Sequence, residues 1–296
     1  MKKRVLTAVL TAALVTGTCV ATVSAKEEKT YTIGICQLVQ HDALDAATKG
    51  FEDAITEKMG DSVKFDEQNA QGDSNTCSTI INSFVSEGTD LILANATAAL
   101  QAAQAGTSDI PILGTSVTDY GTALGVSDWT GKTGTNISGT TDLAPLDGQA
   151  DMLKELFPDA KNVGLLYCSA EANSQYQVDE VQKYLEAKGV TATQYAFSDS
   201  NDLSAVASSA CTASDVLYVP TDNTAANNAE LIGNISLDTG TPIIAGEEGI
   251  CKGCGVATLS ISYYDLGMTT GKMAAKILTG EADISTMPIE FTTATP

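Results

Sequence analysis

Short apolar runs alternate along this chain with longer segments in which apolar residues recur every three or four positions. A run of about four to seven residues bounded by turn formers reads as a buried strand of a parallel sheet, and the recurrence reads as an amphipathic helix. The first strand is 31–36, and the helix at 43–58 carries Leu44, Ala47, Phe51, Ala54 and Ile55 on one face. An edge-like strand at 63–67 follows, then a helix at 77–86 with Ile80, Ile81, Phe84 and Val85, ended by Gly88. Residues 91–94 read as a third strand, 98–105 as a helix and 110–113 as a fourth strand, with 114–119 as a polar loop at its end. Residues 127–142 are polar and glycine-bearing, and read as the crossing into a second half.

That half repeats the order of the first. A helix at 145–157 stops before Pro158. A strand at 162–168, a helix at 175–188 ended by Gly189, a strand at 190–197 and a helix at 203–211 come next. Strands at 216–219 and 242–245 follow, the latter with 246–249 as its end loop. A further strand at 255–260, a helix at 263–278 and a short strand at 287–292 complete the pattern. Such a repeat is the mark of an internal duplication of a doubly wound α/β unit. Two stretches anchor it, 90–99 and 215–226. Each is an acidic residue, an apolar run, an Asn/Thr turn and an Ala-rich segment. A strand, turn and helix in that order aims the free N–H groups of the helix N-terminus at whatever sits above the strand end. Two of them suggest two lobes facing one ligand, although any doubly wound protein has such turns.

The first residues change the picture of where the chain works. Lys2, Lys3 and Arg4 precede an apolar run to about Val23, and Val23-Ser24-Ala25 fits a small-x-small cleavage site. Residues 1–25 therefore read as a signal peptide; an uncleaved anchor and lipidation at Cys19 are the alternatives. The formal charge is −21 over 296 residues, and removal of the three leading basic residues makes it about −24. Without a basic cluster, nucleic acid and anionic membrane surfaces are poor partners.

Cys251-Lys-Gly-Cys254 is a lone CxxC, and His41 is the single histidine, too few ligands for a zinc site. The motif reads as part of a Gly-rich loop, where a disulfide, free thiols and a redox pair are all possible. No phosphate-loop or dinucleotide fingerprint occurs, and no cofactor is expected. Cys36, His41 and Asp45 are near enough in sequence to suggest a thiol enzyme, but Cys36 ends a strand and should be buried.

Several blocks together carry a resemblance. They are 34–45 (Gly-Ile-Cys-Gln-Leu-Val-Gln-His-Asp-Ala-Leu-Asp), 117–119 (Val-Thr-Asp), 134–139 (Gly-Thr-Asn-Ile-Ser-Gly), 167–174 (Tyr-Cys-Ser-Ala-Glu-Ala-Asn-Ser), 218–224 (Tyr-Val-Pro-Thr-Asp-Asn-Thr), 245–249 (Ala-Gly-Glu-Glu-Gly) and 263–267 (Tyr-Tyr-Asp-Leu-Gly). The chain resembles, over about 31–292, the solute-binding components of ABC importers linked to tryptophan and other aromatic amino acids. Asp42 stands where the family pattern has proline, Ser262 where many relatives have aspartate, and the chain stops at Pro296 ahead of the usual tail.

The resemblance implies an α/β fold of the type I periplasmic-binding-protein class. Its parts are two Rossmann-like lobes, three hinge crossings and a central ligand cleft. Lobe one would span 26–139 plus about 262–282, and lobe two 140–261 plus about 283–296. The implied function is an exported, monomeric, non-catalytic receptor, periplasmic or at the cell surface, that docks on a membrane ABC permease. A ligand-sensing partner of a membrane receptor is the alternative.

A zwitterionic amino acid needs donors for its carboxylate and acceptors for its ammonium. Helix N-termini and loop N–H groups suit the carboxylate, which points to Asn95, Ala96, Thr97 and Ala98, and to Ser116, Val117 and Thr118. Asp222 is the first choice for the ammonium, with Glu171 and Glu247 behind it; a helix cap is the other reading of Asp222. Gln37 and His41 should face the cleft from the first loop. Asn173, Ser174 and Asn223 would complete the second lobe, and Tyr120 or Tyr167 could flank a side chain.

Overall fold

In the computed structural model residues 29–292 are described; the leader expected at 1–25 and the last four residues lie outside them. Within that span the chain forms two parallel sheets with helices on both faces. The first lobe runs β1 (Tyr31–Gln37), α1 (Asp42–Met59), β2 (Val63–Asn69), α2 (Ser74–Glu87), β3 (Leu91–Asn95), α3 (Thr97–Gly106), β4 (Ile112–Val117), α4 (Tyr120–Leu124) and β5 (Ile137–Thr141). The second runs α5 (Leu146–Leu156), β6 (Asn162–Cys168), α6 (Ala172–Ala187), β7 (Thr191–Phe197), α7 (Leu203–Ala213), β8 (Val216–Val219), α8 (Asn223–Asn227), α9 (Ala229–Thr239), β9 (Ile243–Ala245), α10 (Glu248–Cys254) and β10 (Ala257–Thr258). The chain then returns through α11 (Tyr263–Leu278) and β11 (Glu290–Phe291). The sheet orders are β11-β5-β4-β3-β1-β2 and β10-β9-β8-β6-β7.

The strands are buried on both faces, which explains their unbroken apolar runs. On β1 the alternation sorts the two cores of lobe one. Ile33 and Ile35 pack with Phe51 and Ile55 of α1 and Met273 of α11. Cys36, from the other face, packs with Cys77, Ile81 and Phe84 of α2. Gly34 shares that face because a Cβ there would stand 2.6 Å from the Phe84 ring. Fully burying side chains of this size stabilises by about 1.5–3 kcal/mol each.

Five expectations change. Residues 137–141, read as part of the crossing, are a strand of lobe one. Its Ser138 and Thr140 are buried, satisfied by bonds to the Met287 carbonyl (3.3 Å) and to Thr270 Oγ1 (2.8 Å), so hydroxyls stand where apolar residues were sought. The polar loop expected at 114–119 is mostly strand, since β4 runs to Val117. The chain end is not part of lobe two: Glu290 pairs with Thr140 on the first sheet, and the Ile289 N–H bonds the Gly131 carbonyl at 2.9 Å. Among the described residues the chain accordingly passes between the sheets twice, at 142–145 and at 259–262, and not three times. Finally, the CxxC lies in α10, not in a loop. Both thiols sit beyond the first turn, and burial with acidic neighbours pushes them up, Cys254 to about 12. That is opposite to the activation a redox cysteine needs.

Candidate functional site

The carboxyl ends of both sheets meet across a small enclosed cavity. From lobe one come His41, Leu44, Ser116, Thr118 and Asp142, from the start of α11 Tyr263, and from lobe two Asn173, Thr221, Asp222, Asn223, Ala226 and Glu247. It encloses about 10 Å³, room for about one water molecule. A larger solute therefore enters only as the lobes part. Larger grooves flank its mouth: Glu247 and His41 also line one of about 530 Å³.

Three carboxyls stand in the cavity wall, and their engagement differs. Asp222 is 1% exposed. Its Oδ1 accepts from the Ala225 N–H (2.8 Å) as the cap of α8, and its Oδ2 from the Cys168 N–H (2.6 Å). Burial, with the Glu171 charge beside it, still pushes its pKa up to about 8. Glu247 caps α10, accepting from the Gly249 N–H at 2.6 Å and from the Ile250 N–H; burial raises its pKa. Asp142 follows β5 directly. Its Oδ2 accepts from Tyr263 Oη at 2.8 Å, while its buried Oδ1 has no partner. Burial raises its pKa too.

Lobe one also holds unmatched hydroxyls. Ser116 Oγ, in the same cavity, and Thr97 Oγ1 are buried without partners. The backbone is bent at both places. Ser116 has φ +54° and Ala96, the cap of α3, φ +94°, a region that costs a non-glycine residue about 1–3 kcal/mol. Bends of this kind at the ends of β3 and β4 turn polar groups toward the cleft.

Among the described residues one hydrogen bond spans the lobes directly, between His41 Nε2 and Asn223 Oδ1 at 3.2 Å. Asn223 Nδ2 donates to Glu171 at 2.6 Å, which leaves Oδ1 for the histidine. His41 Nε2 therefore carries the proton, and burial lowers the ring's pKa. Glu171 lies behind this contact and accepts from the Asn223 and Thr224 N–H groups at 3.0 and 2.8 Å.

Of the residues expected in the site, His41, Ser116, Thr118, Asn173, Asp222, Asn223 and Glu247 line the cavity. Gln37 does not. It is buried under α1, where its Nε2 donates to Asp45 (2.7 Å) and its Oε1 accepts from Thr48 (2.6 Å). Asn95 is held in the same network through Thr48 and the Leu44 carbonyl. Val117 and Ala96 belong to the apolar core. Ala98 and Glu171 face a side groove, Thr97 lies outside the cavity lining, and Ser174 is buried within lobe two, where its Oγ accepts from Asn173 Nδ2 at 3.3 Å. Tyr120 stacks on Trp129 inside lobe one and Tyr167 bonds Gln175 and Gln194, so neither lines the cavity. Asp142 and Tyr263 were missed as site residues. The Asp142 signal was present as an acid ending the polar 127–142 stretch. Cys36 and His41 form no nucleophile–base pair: the thiol is buried in the core cluster with Cys77 and the imidazole faces Asn223.

The whole chain has relatives of known kind. The family described as ABC transporter substrate binding protein matches residues 32–295. A tyrosine-binding protein of Clostridioides difficile is 39% identical over 258 residues, which is 86% of this chain and 74% of that protein. A Streptococcus pneumoniae ABC domain solved in complex with L-Trp is 32% identical with a TM-score of 0.86. The ligand-free, open structure of a substrate-binding protein with adhesive properties from Clostridium difficile is 38% identical, with a TM-score of 0.67. Both structures cover 90% of this chain and are covered to 90%. The chain superposes better on the L-Trp complex than on the ligand-free, open structure, although the latter is the more similar in sequence.

Proposed function

The chain belongs to the ABC transporter substrate-binding proteins, and from that premise we propose that it is an exported receptor for an α-amino acid with an aromatic side chain. One observation carries the reading. Asp142 Oδ1 and Ser116 Oγ are buried, unpartnered and aimed into one cavity between the lobes. An ammonium satisfies the first and a carboxylate the second, and leaving either unmet costs about 1–3 kcal/mol. Asp142 is the ammonium acceptor, with Tyr263 Oη holding its carboxyl in place. Ser116 and Thr118, with N–H groups at the bent end of β4, hold the carboxylate. Leu44, Ala226 and the Tyr263 ring supply apolar wall for the side chain. The tyrosine-binding and L-Trp-bound relatives support the aromatic class.

Ligand touching both lobes favours the closed form because only that form offers both sets of contacts. The closed receptor, a monomer outside the cytoplasm, then docks on a membrane permease driven by a separate ATPase. A thermal-shift screen of residues 26–296 tests the reading. Trp, Tyr or Phe at about 100 times its dissociation constant stabilises by about 2.7 kcal/mol, a midpoint shift of several degrees. The matching amine and the deaminated acid should each give a much smaller shift. Equal shifts with all three compounds would overturn the two-point clamp.

A further inference from the structure

The six cysteines among the described residues are all free thiols, and two of them, Cys36 and Cys77, share one buried cluster. The packing of α2 on β1 brings them together. Phe84 lies over Gly34. Cys36 is two residues along the strand on the same face, and Cys77 is two helical turns from Phe84 on the same helix face. Both are fully buried in one cluster, Cys36 from the strand and Cys77 from the helix packed on it. Cys77 lies just past the first turn of α2, and the neighbouring Cys36 thiol lowers its pKa. Cys36 immediately precedes Gln37, whose amide ties β1 to α1 beneath the His41 loop.

We propose that Cys36 and Cys77 are a disulfide-forming pair, oxidised as the exported chain folds, which bolts α2 to β1 below the ligand cleft. The oxidant is a disulfide compound, small or protein-borne. The Cys77 thiolate attacks one of its sulfurs, forming a mixed disulfide and expelling a thiolate. Cys36, having lost its proton, then attacks the Cys77 sulfur and releases the second thiol. Two protein thiols are oxidised, the S–S bond of the oxidant is reduced, and the two protons end on its thiols. The bond closes a loop of about forty residues, whose freedom it removes from the unfolded chain.

Lobe two supplies an internal control. Cys168 ends the matching strand β6; the α7 cysteine in its cluster, Cys211, stands in the last turn of that helix and not near its start, and Cys168 Sγ bonds the Ser198 carbonyl at 3.5 Å.

The test is to unfold the full chain, refold it in oxidised and reduced glutathione, and quench in denaturant with light N-ethylmaleimide. Reduction and heavy N-ethylmaleimide then mark every cysteine that was oxidised. Cys36 and Cys77 should take the heavy label together, in equal amounts, at a glutathione ratio where Cys168 takes the light one. The oxidised protein should melt several degrees above the reduced one, and in Cys77→Ser the heavy label should leave Cys36. Light label on both to the extent of Cys168 would overturn the proposal, as would heavy label persisting on Cys36 in Cys77→Ser. Neither readout depends on ligand, so failure here leaves the receptor reading standing.

Discussion

The two lobes repeat one architecture but bring their polar groups to the cleft in different states. In lobe two the carboxyls are already engaged: Asp222 caps α8 and pins Cys168, Glu171 holds the N–H groups of Asn223 and Thr224, and Glu247 caps α10. In lobe one Asp142 Oδ1 and Ser116 Oγ line the cavity and are buried with nothing to bond. An engaged group fixes shape; an unengaged one stores a cost that a ligand relieves. Lobe one is thus the side that holds the polar ends of the ligand, and lobe two the preassembled wall that closes over them.

The sharpest way to break this contrast is to exchange acid for amide on each side. Asp142→Asn should lower affinity for the amino-acid ligand about 100-fold, since a hydrogen bond to a charged group contributes about 1.5–3 kcal/mol. Isothermal titration reads this directly, and the melting point without ligand should hardly move. Asp222→Asn should behave the other way. It weakens a helix cap and the bond to the Cys168 N–H, and should destabilise the fold by about 1–2 kcal/mol. Affinity should then change less than about tenfold. A larger affinity loss in Asp222→Asn than in Asp142→Asn would reverse the assignment of the lobes.

Proton binding offers a second handle. The folded-state pKa of Asp222 is raised from 3.8 to about 8 by burial. The folded protein therefore binds this proton more tightly than the unfolded chain. The associated stability is fully present below about pH 4 and is lost as pH rises through about 8. Asp142 and Glu247, also raised by burial, act in the same direction. Chemical denaturation from pH 4 to 8 should show a smaller decline in Asp222→Asn than in the unchanged protein. Ligand affinity should run the opposite way. An ammonium prefers ionised Asp142, so binding should weaken as pH falls through its raised pKa, and Asp142→Asn should flatten that slope.

Most of the fold was legible because the strands of a doubly wound sheet are apolar runs and the helices carry a clear period. The failures at β5 and at the end of β4 share one cause, polar residues in core positions. Ser138 and Thr140 of β5 find hydroxyl and carbonyl partners contributed from beyond residue 269, far along the chain. A local pattern cannot show those partners. The site was half legible for a related reason. Asn, Asp and Ser at strand ends announce turns, but whether a side chain caps its own helix or stays free depends on tertiary neighbours. Gln37 was drawn into the lobe by Asp45 and Thr48. Asp142 was overlooked because the strand before it was read as a crossing.

The smallest effect concerns the direct hydrogen bond between the lobes. His41 donates to Asn223, and this contact exists only when the cleft is closed. A net hydrogen bond of this type contributes about 1 kcal/mol. His41→Ala should therefore shift the lobes toward the open arrangement and weaken ligand binding about fivefold. The loss should appear as faster dissociation, because the open form accepts ligand as before while the closed form is held less firmly. Asn223→Ala should give a similar loss, and the double variant little more than either single one, since both remove the same bond. Additive losses would mean that each residue touches the ligand on its own account, and lobe two would then be a contributor to recognition and not only its wall.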